Sequence, residues 1–299
     1  MKYVSVTFDY EGAWGMPYSQ NYDLGKATDR LLSALQRHDA KAVFFVTGKV
    51  VTQYPHIIKK IHAQGHEIGM HGHTHEHMHN LTSAQIEILY SQLSKDRVAI
   101  FEITGYLPRG FRAPYLMGPV FYNPQIYRML SRLGFSWTSN REIRQPAELF
   151  RPDRIKMGAV LLRYKVIFNA LFALLNFRLI TFDRPNGGII ASYNWLVQLH
   201  QPPFLRPEGL VEYPLTSPLD CDLFGFPAVN SNSGPDFTTY ATQVVGDCYK
   251  RSGAYFNINC HDWITGTMDR IEMLDKILAD IAADRDARFY RPGLDGATP

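Results

Sequence analysis

Two short stretches of this sequence concentrate groups that do chemistry. In TFDYEG, Asp9 and Glu11 are one residue apart and follow a run of β-branched and aromatic residues. On an extended segment, residues i and i+2 point the same way. Two carboxylates at a strand's C-terminal end would then face one mouth of an α/β fold, where such folds place their sites. A solvated loop pair is the plainer reading. In GHEIGMHGHTHEHMHN, His71, His73, His75, His77 and His79 alternate, and with His66 they make up six of the chain's eleven histidines. Imidazole is the commonest side-chain metal ligand. Two imidazoles with a carboxylate leave coordination positions open, which marks a catalytic rather than a structural metal. A surface metal-scavenging tract or a stacked polar face would have the same composition, and spacing alone does not choose the binding pair. Farther on, Arg112 in FRAPY and His261 in CHD sit near strand ends, where loops carry function. A surface cation and a capped turn would read the same way.

The elements that must position these groups alternate through the first half. Residues 3–8 read as a strand, and 23–38 as a helix with Leu24, Ala27, Leu31, Leu32 and Leu35 at 3.6 spacing. KAVFFVTG is a strand buried on both faces. Residues 54–63 form a helix with Pro55 in its first turn, and HEIGMH is a strand running into the histidines. Residues 81–103 form a helix that Thr82 and Gln85 can cap. RGFRAP is a strand stopped by Pro114, 123–133 is a helix and GFSWTS a strand. This alternation predicts a parallel α/β architecture, open or barrel-like. In the second half LITF, GIIASY and LVEYPLTS are strand candidates, 215–236 an irregular loop and 238–251 a helix. AYFNINCHDW is a strand and turn, and 269–284 a closing helix. A single domain over 1–284 is expected, with an irregular insertion around 185–236 and a mobile tail at 285–299.

Composition narrows the class. Apolar residues at 45% and charged residues at 20% describe a globular chain and exclude disorder, collagen-like repeats and coiled coil. A net charge of +3 is too small to argue for a nucleic-acid partner. Three cysteines without CxxC spacing point to a reducing compartment. The start, MKYVSVTFDY, has no apolar signal core, so a cytoplasmic location is expected. The longest apolar run, VIFNALFALLNF at 166–177, is too short to span a bilayer. It reads as a buried helix or a subunit contact in a homo-oligomer. With Asn169 and Asn176 on one helical face, it could instead lie on a membrane surface.

TFDYEG, GHEIGMHGHTH, FRAPY and INCHD occur in that order. In this the chain resembles the NodB-homology polysaccharide deacetylases, carbohydrate esterase family 4, most closely the branch with an Asp-x-Glu first motif. The resemblance runs from about residue 3 to 262. It implies an α/β fold, a distorted (β/α) barrel of about seven parallel strands with loop insertions in the C-terminal half. It also implies His71 and His75 as metal ligands, with His73 where an aromatic residue often stands; His73 with His77 is the alternative pair. Asp9 would be the base and Glu11 the third ligand. Tyr10 separates them where many members have adjacent aspartates, so Glu11 must reach the metal from a different place. Arg112 would pair with the base, the Tyr115 N–H would help hold an oxyanion, and His261 would be the general acid. FSWTSN keeps Trp137 but lacks the family's usual aspartate, which leaves the partner of His261 unassigned. Trp14, Tyr18, Trp137 and Trp263 are candidates to stack on a sugar face, or rim packing.

The function the resemblance implies is metal-assisted removal of an N-acetyl or similar N-acyl group from a sugar, nucleotide- or lipid-linked. Nitrogen and oxygen ligation suits Zn²⁺, and Co²⁺ or Ni²⁺ could substitute. Allantoinase-like or cyclic-imide hydrolysis on the same fold is the alternative, and a non-catalytic carbohydrate-binding relict a further one.

Overall fold

The computed structural model describes residues 1–14, 22–78, 81–116, 123–140, 202–216, 218–224, 235–268 and 270–295. Strand β1 (Lys2–Tyr10) leads into α1 (Leu24–Arg37), β2 (Ala42–Val46), α2 (Gly48–Gln53), α3 (Pro55–Ala63) and β3 (Glu67–Met70). Then come α4 (Ser83–Thr104), β4 (Gly110–Phe111), α5 (Pro124–Arg132) and β5 (Trp137–Thr138). The C-terminal part adds β6 (Phe204–Leu205), β7 (Val211–Glu212), α6 (Asp220–Phe224), α7 (Pro235–Arg251), β8 (Tyr255–His261), α8 (Asp262–Thr265), α9 (Ile271–Ala283) and β9 (Ala287–Phe289). The sheet order is β6-β7-β5-β4-β3-β2-β1-β8, parallel except for the β6–β7 pair, with β9 also paired to β1.

Alternation along β1 separates two cores. Val4, Val6, Phe8 and Tyr10 pack outward with the helices' apolar stripes, among them Leu31 and Leu35 of α1. Fully burying such a side chain contributes about 2 kcal/mol. Ser5, Thr7 and Asp9 turn the other way, into the barrel, where Thr7 Oγ1 donates to the Ile258 carbonyl at 2.9 Å. The deep end of that interior is aromatic: Phe45, Trp137, Tyr213, Tyr255 and Tyr290 cluster there. The opposite end, at the C-termini of the strands, is polar. This polarity places the chemistry at the mouth.

Local signals set the helices as the sequence predicts. Asp23 caps α1 through the Lys26 amide, and Pro55 opens α3. Thr82 and Gln85 form a reciprocal capping box, and α4 stops at Gly105, whose φ of 73° is left-handed.

The curl is closed by the segment after β7. Tyr213 N donates to Thr138 O (2.8 Å) and Leu215 N to Asn140 O (3.1 Å), continuing alongside β5. The chain then crosses to β8, where the Asn257 amide donates to Thr216 Oγ1 (2.6 Å) and Leu219 bridges Asn259. The result is a distorted (β/α) barrel, as the alternation and the resemblance imply.

Three sequence expectations change. RGFRAP and GFSWTS keep only two strand residues each; after Phe111 the chain turns at Pro114, with Tyr115 (φ 59°) and Leu116 (φ 54°) left-handed. The expected loop at 215–236 contains α6, which starts where the Asp220 carboxylate accepts the Cys221 amide at 2.8 Å. The expected tail contributes β9 and buries Tyr290, whose carbonyl accepts from Ser5 Oγ. Tyr18, His79, the strand candidates LITF and GIIASY, and the apolar run 166–177 lie outside the described residues. Among the described residues no helix is long and apolar enough to cross a membrane.

Candidate active site

β1 and the loop after β3 bring Glu11, His71 and His75 together, all buried. His71 Nδ1 faces the Arg112 carbonyl at 2.9 Å. A carbonyl only accepts, so assignment from this bond puts the proton on Nδ1 and leaves a lone pair on Nε2. Nε2 stands 3.2 Å from Glu11 Oε1, and His75 Nε2 stands 3.0 Å from the same oxygen. Two imidazoles and a carboxylate thus converge on one point. The outer nitrogen of His71 is already oriented by a backbone carbonyl, the usual support of a metal-bound histidine. A divalent cation fits this donor set. Trp263 Nε1 donates to the other Glu11 oxygen at 2.9 Å, and the Glu11 amide donates to Asp262 Oδ1 at 2.7 Å. Both contacts aim the carboxylate, which answers how a glutamate two residues past Asp9 reaches this point. Burial alone would raise the Glu11 carboxyl, but its close contacts with the His71 and His75 rings and the charge of His261 hold it well below the usual range.

Asp9 lies beside this group without belonging to it. Arg112 donates to Asp9 Oδ1 at 2.6 Å, and Asn259 Nδ2 to Oδ2 at 3.2 Å. The guanidinium is fixed from every side: Nε to Ser139 O (2.9 Å), NH2 to Thr7 Oγ1 (3.0 Å) and Ser139 Oγ (2.7 Å), NH1 also to Asn259 Oδ1. Burial would raise the Asp9 carboxyl, but the Arg112 guanidinium, aided by His261, outweighs it and holds the group below its ordinary range. The β1–β8 register pairs Asp9 with His261 directly. His261 Nε2 is 3.8 Å from Asp9 Oδ2 and 3.9 Å from Glu11 Oε1.

The unassigned partner of His261 is Asp220, the first residue of α6. Its Oδ1 accepts from His261 Nδ1 at 2.6 Å, and its Oδ2 from the His261 amide and Thr265 Oγ1, each at 2.7 Å. With both oxygens engaged, Asp220 orients the ring and does not read as a metal ligand, although Asp220, Cys221 and His261 also lie close together. The same holds for Asp9 in the neighbouring group with Glu11 and His261. Burial lowers His261, but the Asp220 charge and hydrogen bond, with Glu11 and Asp9, push it up to about 9. The site therefore sets a carboxylate favoured in its ionised form beside an imidazole favoured in its protonated form, on adjacent strands.

The aromatic candidates separate. Trp14, 44% exposed, packs on His75 (4.0 Å between ring centroids) and edge-on to Tyr115 (5.7 Å), at the rim. Tyr115 lines the same pocket and stacks on His77 at 3.7 Å. Trp263 is fully buried, and its indole N–H is committed to Glu11, so it cannot meet a sugar face. Trp137 is 1% exposed and belongs to the aromatic plug at the deep end, one inward layer below Ser139. Both stacking expectations are corrected by burial. The pocket is bounded by Asp9, Glu11, His75, Tyr115, Leu219 and His261, with a cavity of about 140 Å³. Asp220, Asn259 and Ser139 were missed. The alternation Asn257, Asn259, His261 in one strand was the available signal for Asn259.

Residues 1–137 match the family model described as polysaccharide deacetylase. A curated relative, the peptidoglycan-N-acetylglucosamine deacetylase PgdA of Listeria monocytogenes, is 39% identical over 88 residues, which is 29% of this chain and 18% of that protein. The matched segment is thus under a fifth of the relative's length. Among solved structures, the polysaccharide deacetylase Bc1974 from Bacillus cereus aligns with a TM-score of 0.52 and 19% identity, covering 100% of this chain and 96% of that one. A PuuE allantoinase aligns with a TM-score of 0.59 and 16% identity, covering 97% and 87%. Both share the fold.

Proposed function

We propose, from the premise that residues 1–137 belong to the polysaccharide deacetylase family, that this chain hydrolyses the N-acetyl amide of a sugar with the help of a divalent metal. The observation that supports it most is the convergence of Glu11, His71 and His75 on one point, with Asp9 bonded to Arg112 and His261 bonded to Asp220 beside it. A dication there, Zn²⁺ by its ligand types, would polarise the acyl oxygen and acidify a water.

The residues divide the remaining work. Asp9 accepts a proton as water oxygen bonds to the acyl carbon. Arg112 and Asn259 each donate to one of its oxygens, which orients the carboxylate and leaves a lone pair on each oxygen to accept the proton. The Tyr115 N–H donates to the oxyanion as charge develops. His261 Nε2 then gives its proton to the sugar nitrogen as the carbon–nitrogen bond breaks, because an unprotonated amine leaves poorly. The products are acetate and the free amino sugar, and Asp9 and His261 exchange a proton to reset. Trp14 and Tyr115 offer a rim on which a sugar ring can lie.

The substrate class is tested by acetate release from the zinc-loaded chain. N-acetylglucosamine oligomers, peptidoglycan fragments, a nucleotide-linked and a lipid-linked N-acetyl sugar form one arm, and allantoin forms the other. Acetate from at least one N-acetyl sugar, with allantoin untouched, is expected. Ring opening of allantoin without acetate from any sugar would replace this reading with cyclic-amide hydrolysis.

A further inference from the structure

Two features outside the reacting groups meet at the histidine cluster. Asp96 lies on the core-facing stripe of α4 with Leu89, Leu93 and Ile100, a costly place for an acid without a partner. Its partner is His73, whose Nδ1 stands 2.8 Å from Asp96 Oδ2. The space is shaped for this carboxylate, since a Cβ on Gly48 would overlap it. The second feature is His75, a non-glycine residue with φ of 65°. L-residues avoid that conformation, so surrounding contacts must hold it.

The loop from His71 to Glu76 is restrained accordingly. The Gly48 amide donates to Gly72 O (3.1 Å) and the Lys49 amide to His73 O (2.9 Å), tying the loop's backbone to α2. The Glu76 carboxylate accepts the His73 amide (3.0 Å) and the Thr74 amide (2.7 Å), closing the turn on itself. Among the bonds described for the loop, His73 supplies the one that reaches α4.

We propose that the His73–Asp96 pair is a positioning device for the metal: it anchors the turn to α4, keeps His75 in its left-handed conformation and thereby sets the affinity for the dication. The inference rests on Glu11, His71 and His75 being the ligands. It gives His73 a role distinct from theirs, although His71, His73 and His75 lie in one alternating run.

Zn²⁺ affinity, measured by competition with a chromophoric chelator, tests it without reference to turnover. Asp96→Ala and His73→Ala are each expected to bind Zn²⁺ roughly 10- to 100-fold more weakly, the usual cost of losing an outer-shell partner. The double variant should be no weaker than either single, because both cut the same link. Asp96→Asn, whose amide oxygen still accepts from Nδ1, should recover most of the affinity. General loosening of the barrel would not produce that rescue, and His73→Ala serves if Asp96→Ala fails to fold. Unchanged affinity in both single variants, or losses that add in the double, overturns the proposal. A wild-type chain that takes up no Zn²⁺ overturns instead the ligand reading on which it stands.

Discussion

Asp9→Asn is expected to lower kcat by about 10³-fold, the scale of a lost general base, while Zn²⁺ stays at full stoichiometry. The substitution keeps size and shape, and its amide oxygen can still accept from Arg112, which now donates to Asp9 Oδ1 at 2.6 Å. What it removes is the ability to take a proton. The metal should remain because Asp9 spends one oxygen on Arg112 and the other on Asn259, whereas among the described residues Glu11 Oε1 faces only imidazole nitrogens within hydrogen-bonding distance. Steady-state kinetics on an N-acetyl sugar together with metal analysis reads both halves. Turnover within a few fold of wild type would remove Asp9 as the base. Loss of metal would move it into the ligand set.

The second large effect is expected at a residue that never meets substrate. Asp220→Asn should reduce kcat by about 10²-fold or more, within the range of general acid catalysis. It should also move the alkaline limb of the pH profile to lower pH. The sign follows from the charges: Asp220 is the largest influence raising His261, and burial opposes it. Without that anion the imidazolium loses its proton at lower pH, so the acid is missing under conditions where the wild type still has it. A drop in kcat with an unshifted alkaline limb would mean that Asp220 only braces α6 against β8. An unchanged kcat would remove His261 as the proton donor that Asp220 tunes.

The barrel was largely readable because its cause is local. Alternating apolar residues in 3–8, the 3.6 spacing of Leu24, Ala27, Leu31 and Leu35, and the Thr82–Gln85 cap each act over a few residues and reappear as β1, α1 and α4. The i, i+2 placement of Asp9 and Glu11 likewise survives folding, since both lie on the same side of the mouth. What could not be read depends on pairing over distance. Asp220 sits 41 residues before His261 in a stretch whose Pro, Asp, Asn and Ser content reads as loop. Only the crossing that closes the barrel brings it under the ring. Trp263 and Trp137 show the complementary limit: a tryptophan beside a motif is equally consistent with a rim and with a buried donor, and burial decides. The histidine run is mixed for the same reason. Once the chain turns after Met70, alternation no longer means one face, so His71 and His75 meet Glu11 while His73 meets Asp96 and His77 meets Tyr115.

Glu11, His71 and His75 are proposed to hold one dication beside the base Asp9 and the acid His261. Elemental analysis of the purified chain tests it most directly, after exposure to Zn²⁺ and removal of excess. About one Zn²⁺ per chain is expected for the wild type, as for a single mononuclear site. His71→Ala and His75→Ala should retain almost none while keeping the wild-type circular dichroism spectrum. Full stoichiometry in both variants would remove His71 and His75 as the ligands.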